Sequence, residues 1–158
     1  MAYTAIQTQT LTSAESVVIF SSIPQTFRDL YLTIEGNSSG SSGGLNMRFN
    51  DVSVLGAYST VELNASGSSV SSNRHAPQQI PIAWLETGSR TFATIEILNY
   101  SGTVNNKTSI ARIGNASQIS SAQVYRFNTT SGITSIRLFH GSASFAVGSS
   151  FSLWGVSA

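Results

Sequence analysis

Apolar and polar side chains alternate along residues 29–35, 92–98, 133–139 and 150–154, the period of a strand with one face buried. In the first of these, Leu30, Leu32 and Ile34 share a face and are predicted to be core, while Tyr31 takes the opposite phase. Trp154 likewise stands opposite the core phase of its strand. Weaker patterns of the same kind predict strands over residues 16–20, 45–50, 58–63, 79–84, 108–113 and 121–127. Residues 3–11 are too polar for the middle of a sheet and read as an edge strand or an arm. Pro81 cannot donate to a ladder, which places its strand at an edge or a bulge.

Two stretches break the alternation. Residues 36–44 and 64–73 consist almost wholly of Gly, Ser and Asn, and both are predicted to be loops. Ordering so many small residues is entropically expensive, so residues 36–44 are expected to be mobile in isolation. Elsewhere turn residues recur at about 8 to 12 residues, and no segment carries a helical apolar stripe with a capping box. These features predict an all-β fold: an antiparallel β-sandwich, jelly-roll-like, of about eight to ten strands. Residues 1–158 are expected to form a single domain, with residues 1–11 its N-terminal arm or edge strand.

Composition sharpens the picture at the surface. Only 9% of residues are charged, against about 25% in an ordinary soluble domain, so Ser, Thr and Asn must keep the exterior wet. Formal net charge is +1, from a single lysine, Lys107, and arginines scattered one at a time. A nucleic-acid partner would need a basic stripe to displace counterions, and none is present. Cysteine is absent, so neither disulfides nor thiolate metal sites are available. No run approaches the roughly 18 apolar residues that span a bilayer, and the start lacks an export signal, so no membrane partner is expected.

Candidate chemistry is sparse. His75 and His140 lie far apart, without a neighbouring acid or second histidine at ligand spacing, and are read as surface or turn residues. Glu35 and Glu96 fall on the outward phase of their strands, which suits solubility better than a pair of catalytic carboxylates. Neither a nucleophile elbow nor a phosphate-binding loop occurs. The sequence therefore nominates no catalytic residue, no cofactor and no metal site, and predicts a protein that is not an enzyme. Tyr3, Ile6, Tyr31 and Trp154 are the candidate interface residues, because aromatic rings on the outer phase of a sandwich supply contact area.

Residues 21–32 (Ser-Ser-Ile-Pro-Gln-Thr-Phe-Arg-Asp-Leu-Tyr-Leu), Met47-Arg-Phe-Asn50, Glu96-Ile-Leu-Asn-Tyr100, Lys107-Thr108, residues 133–138 and the closing Phe145-Ala-Val-Gly-Ser-Ser-Phe-Ser-Leu-Trp-Gly155 resemble a recurring type of tailed-phage virion protein, common in marine and cyanobacterial phages. The resemblance spans most of the chain and consists of strand and turn patterns, so it transfers no active-site residue. Trp154 stands where Tyr is more usual in this type. Members are similar to head decoration (cement) proteins and to the β-rich tips of tail fibres or spikes. The resemblance implies a capsid decoration protein that binds the assembled major capsid lattice and stabilises the head, with the major capsid protein and itself, as a homotrimer, for partners. Its place would be the outer capsid surface of the virion, and the host cytoplasm during assembly. The alternative it implies is a tail-fibre or spike receptor-binding domain that recognises host-surface glycan.

Overall fold

The segments of period two fold as antiparallel strands whose apolar phases meet between two sheets. A computed structural model describes residues 2–116 and 119–157. Within them the strands are β1 (Ala2–Thr10), β2 (Val17–Phe20), β3 (Asp29–Gly36), β4 (Ser38–Ser39), β5 (Gly43–Phe49), β6 (Tyr58–Ser66), β7 (Ser69–His75), β8 (Ile80–Leu85), β9 (Thr91–Leu98), β10 (Lys107–Asn115), β11 (Ile119–Phe127), β12 (Ile136–His140), β13 (Ser144–Phe145) and β14 (Ser150–Ser157). One sheet has eight strands in the order β1-β14-β3-β9-β10-β11-β6-β7, the other four in the order β2-β12-β5-β8, and β13-β4 is a short separate pair. The molecule is all-β and sandwich-like, as the alternation predicts. Fourteen strands replace the expected eight to ten, because two are only two residues long and a hairpin occupies one of the expected loops.

The core is built from the inward phases. Leu30, Leu32, Ile34, Ile95, Ile97, Phe151 and Leu153 of the wide sheet face Val18, Phe20, Leu45, Met47, Ile136 and Leu138 of the narrow one, all buried. At one end Tyr58 stacks on Phe127 with ring centroids 4.9 Å apart, and Phe49 closes against Phe127 at 5.6 Å. The Tyr58 hydroxyl accepts the Phe49 N–H and donates to the Val52 carbonyl, both at 3.0 Å, so this buried phenol is satisfied.

An eight-stranded sheet is wider than a four-stranded one can cover. Strand β8, the free edge of the narrow sheet, packs over β9 and β10 and receives the Gln123 side chain of β11 on its Ile82 carbonyl at 3.1 Å. The far half of β6 and all of β7 project beyond that edge, and every residue of β7 is exposed. This overhang corrects the loop expected over residues 64–73. They form the β6–β7 hairpin, closed by a two-residue turn in which Gly67 takes φ +59°. With water on both faces, these strands need no apolar phase, and so show no alternation to read.

Both ends of residues 36–44, the stretch expected to be mobile in isolation, are paired or packed against the rest of the fold. Ser38–Ser39 pairs with β13, and Gly43 lies against the side chains of His140 and Ser142, where there is no room for a Cβ. His140 itself overturns its assignment to the surface. It is 6% exposed, its Nδ1 accepts the Ser142 and Ala143 N–H groups at 3.2 and 2.8 Å, and its Nε2 bonds Ser38 Oγ at 2.9 Å. Because Nδ1 accepts, the neutral ring carries its proton on Nε2, and Ser38 passes the chain on by donating to the Ser41 carbonyl. Burial holds the His140 pKa below its ordinary value. Pro81 lies on edge strand β8, where the ladder with β5 shifts register.

Candidate functional site

The cross-strand register of the wide sheet lines up one row of outward side chains over all eight strands. From β7 to β1 the row runs Arg74, Val61, Val124, Ile110, Glu96, Tyr31, Trp154 and Ala5. Direct cross-strand neighbours on one face lie within about 5.5 Å of each other at Cβ, so these side chains form a continuous stripe. At one end, Tyr31 and Trp154 are half-buried, and Tyr3 leans in from β1 at 55% exposure. The Tyr3 ring meets Tyr31 edge-on, with centroids 5.5 Å apart and planes at 74°. With Thr33 these three rings line a shallow depression of about 400 Å³. At the other end Val61, Leu63, Ile110 and Val124 are exposed together in a second depression of about 460 Å³.

Three of the four predicted interface residues are thus brought together, and Ile6 is not. The β1–β14 register slips between Ala5 and Gln7, and the extra residue, Ile6, packs against the core. The bulge turns one side chain inward while leaving Tyr3 and Ala5 on the outer face. Sequence reasoning missed Val61, Leu63, Ile110 and Val124. The available signal was apolar residues on both phases of β10 and β11, where Ala111, Ile113, Tyr125 and Phe127 already fill the inner phase.

A second feature lies under the overhang. Edge strand β8 and the uncovered inner face of β11 and β6 enclose a groove of about 400 Å³. Ile82 and Ile113 back it, and Glu62 and Asn64 form its floor. Trp84, at 54% exposure, stands at its mouth. Glu62 Oε1 accepts Asn73 Nδ2 at 3.3 Å and lies 3.6 Å from His75 Nε2, so the hairpin holds this carboxylate in place. Gln123 is committed elsewhere, donating to the Ile82 carbonyl and to Ser121 Oγ and accepting the Tyr125 hydroxyl. Among the described residues no group of three or more His, Cys, Asp or Glu could hold a metal ion.

No family model matches the chain, and no curated protein matches it. Among solved structures it is similar to the galectin LEC-6 of Caenorhabditis elegans, at 13% identity and a TM-score of 0.38, over 96% of each chain. It is also similar to an alginate lyase, Aly36B, solved as a mutant with an alginate tetrasaccharide, at 7% identity and a TM-score of 0.32, over 96% of this chain and 79% of that one.

Proposed function

We propose that this chain is a structural protein of a tailed-phage virion, a decoration protein that docks on the assembled capsid lattice and stabilises the head. The observation that carries the reading is the outward row from Val61 to Trp154, in which the apolar group Val61–Val124–Ile110 and the aromatic group Tyr31–Trp154 flank Glu96 on a surface otherwise mostly of hydroxyl and amide side chains. Single exposed apolar residues are ordinary on a soluble protein, whereas a contiguous patch marks a contact surface. Tyr and Trp anchors with a polar surround are the composition of an interface centre. A nearly uncharged exterior lowers the desolvation cost of lying flat on a partner, and many identical copies make a modest affinity per copy sufficient. The same reading takes the chain as a homotrimer on the outer capsid surface and rests, for that, on the resemblance in the sequence.

The test is binding of the purified protein to heads that lack it. Trp154→Ala and Val124→Ser each lower affinity for heads about tenfold if the row is the contact, with an unchanged far-ultraviolet circular dichroism spectrum showing that the variants fold. Unchanged occupancy for both would overturn the reading.

A second reading, a fibre or spike tip that recognises host-surface glycan, is favoured by the groove beneath β8 and its half-exposed indole. A printed glycan array probed with the isolated protein distinguishes it from capsid docking.

A further inference from the structure

We infer that the groove between β8 and the overhanging β11–β6 floor is a binding site for a neutral saccharide. The inference rests on the host-glycan reading and gives it a site. The groove's about 400 Å³ lies within the roughly 300–1,000 Å³ of small-molecule sites. Its elements match the two sides of a sugar ring. The exposed face of Trp84 suits the apolar C–H face, while the Glu62 carboxylate and the Asn64 amide can accept and donate to hydroxyls. Glu62 is anchored by Asn73 and faced by His75, so it is positioned before a ligand arrives.

Charge selects within the class of sugars. The lining residues carry one carboxylate and neither lysine nor arginine, so sulfated, phosphorylated or uronic-acid saccharides would meet repulsion without a counter-charge. A peptide is disfavoured by the strand that borders the groove. Strand addition needs free backbone donors and acceptors along an edge, and on β8 Pro81 has no N–H. There the Ile82 carbonyl is taken by Gln123 and the Trp84 carbonyl by Thr91 Oγ1.

The experiment is an amide-resolved NMR titration of the full chain with lactose, cellobiose and methyl α-mannoside as probes, in parallel with a glycan array. At least one probe is expected to shift the Trp84 indole N–H and the Glu62 and Asn64 amides, with a Kd of about 1 mM, as befits an open site. Trp84→Ala and Glu62→Gln should each weaken that binding about tenfold while leaving other amide positions unmoved, which shows that the variants remain folded. No groove shift with any probe at high millimolar concentration overturns the inference. An array signal that survives both substitutions also overturns it, yet leaves host-glycan recognition standing. Groove shifts together with a blank array support the site and remove the fibre-tip reading.

Discussion

Two polar residues show how the interior constrains its own chemistry. Burial penalises the charged form of His140 and lowers its pKa, and its Nδ1 already accepts two backbone N–H groups. A base whose folded pKa is lowered supports the fold above its unfolded value of about 6.5 and withdraws that support as pH falls through the folded value. Urea midpoints should therefore drop between neutral pH and pH of about 5, and His140→Phe should remove this slope while lowering stability at neutral pH by about 1–3 kcal/mol through unpaired backbone donors. Lys107, 1% exposed, donates to the Gly102, Asn105 and Thr130 carbonyls and so ties the loop before β10 to the loop after β11. Lys107→Met should lower stability by about 1–3 kcal/mol in the same assay, since three carbonyls lose their donor. Neither role was legible in the sequence. Ser38 lies 102 positions from His140, and Thr130 lies 23 from Lys107, so only the closed fold makes them neighbours.

Among elements, legibility followed burial. Strands β3, β9, β12 and β14 press one face on the core, and their alternation identified them, with Leu30, Leu32 and Ile34 as the inward residues of β3, although β12 starts only at Ile136, three residues after the alternation does. The β6–β7 hairpin escaped notice because neither of its faces is covered over residues 64–73. The site divided the same way: Tyr31 and Trp154 stood out as aromatics on the wrong phase, whereas the Glu62 groove depends on a sheet overhang that no local pattern announces. Gly67 is the hinge of that hairpin. Its positive φ is costly for a branched side chain, so Gly67→Val should lower stability by about 1–2 kcal/mol and raise hydrogen exchange across β7 first. At the opposite edge β1 shields β14. Removing residues 2–10 would leave the β14 ladder open beside buried Phe151 and Leu153, and soluble yield should fall through edge-to-edge association, measured by light scattering.

At the scale of the whole molecule, three buried tyrosines set the alkaline limit. Burial raises Tyr58 to about 12 and pushes Tyr100 and Tyr125 up as well. An acid whose folded pKa is raised contributes fully below its unfolded value of about 10 and loses that contribution as pH climbs toward the folded one. Thermal midpoints should hold to pH of about 10 and then decline, with the phenolate signals of Tyr58, Tyr100 and Tyr125 rising together with unfolding. The low charge density has a counterpart in association: with a net charge of +1 there is little long-range field to screen, so head binding should change less than about threefold between low and physiological salt.

The unequal width of the two sheets separates what the chain must conserve from what it is free to alter. Beneath the narrow sheet any change in volume is resisted by close packing, while the unroofed shelf of β6 and β7 can exchange side chains at little thermodynamic penalty. Related chains should therefore diverge fastest on that shelf, acquiring new binding preferences there while the interior stays fixed.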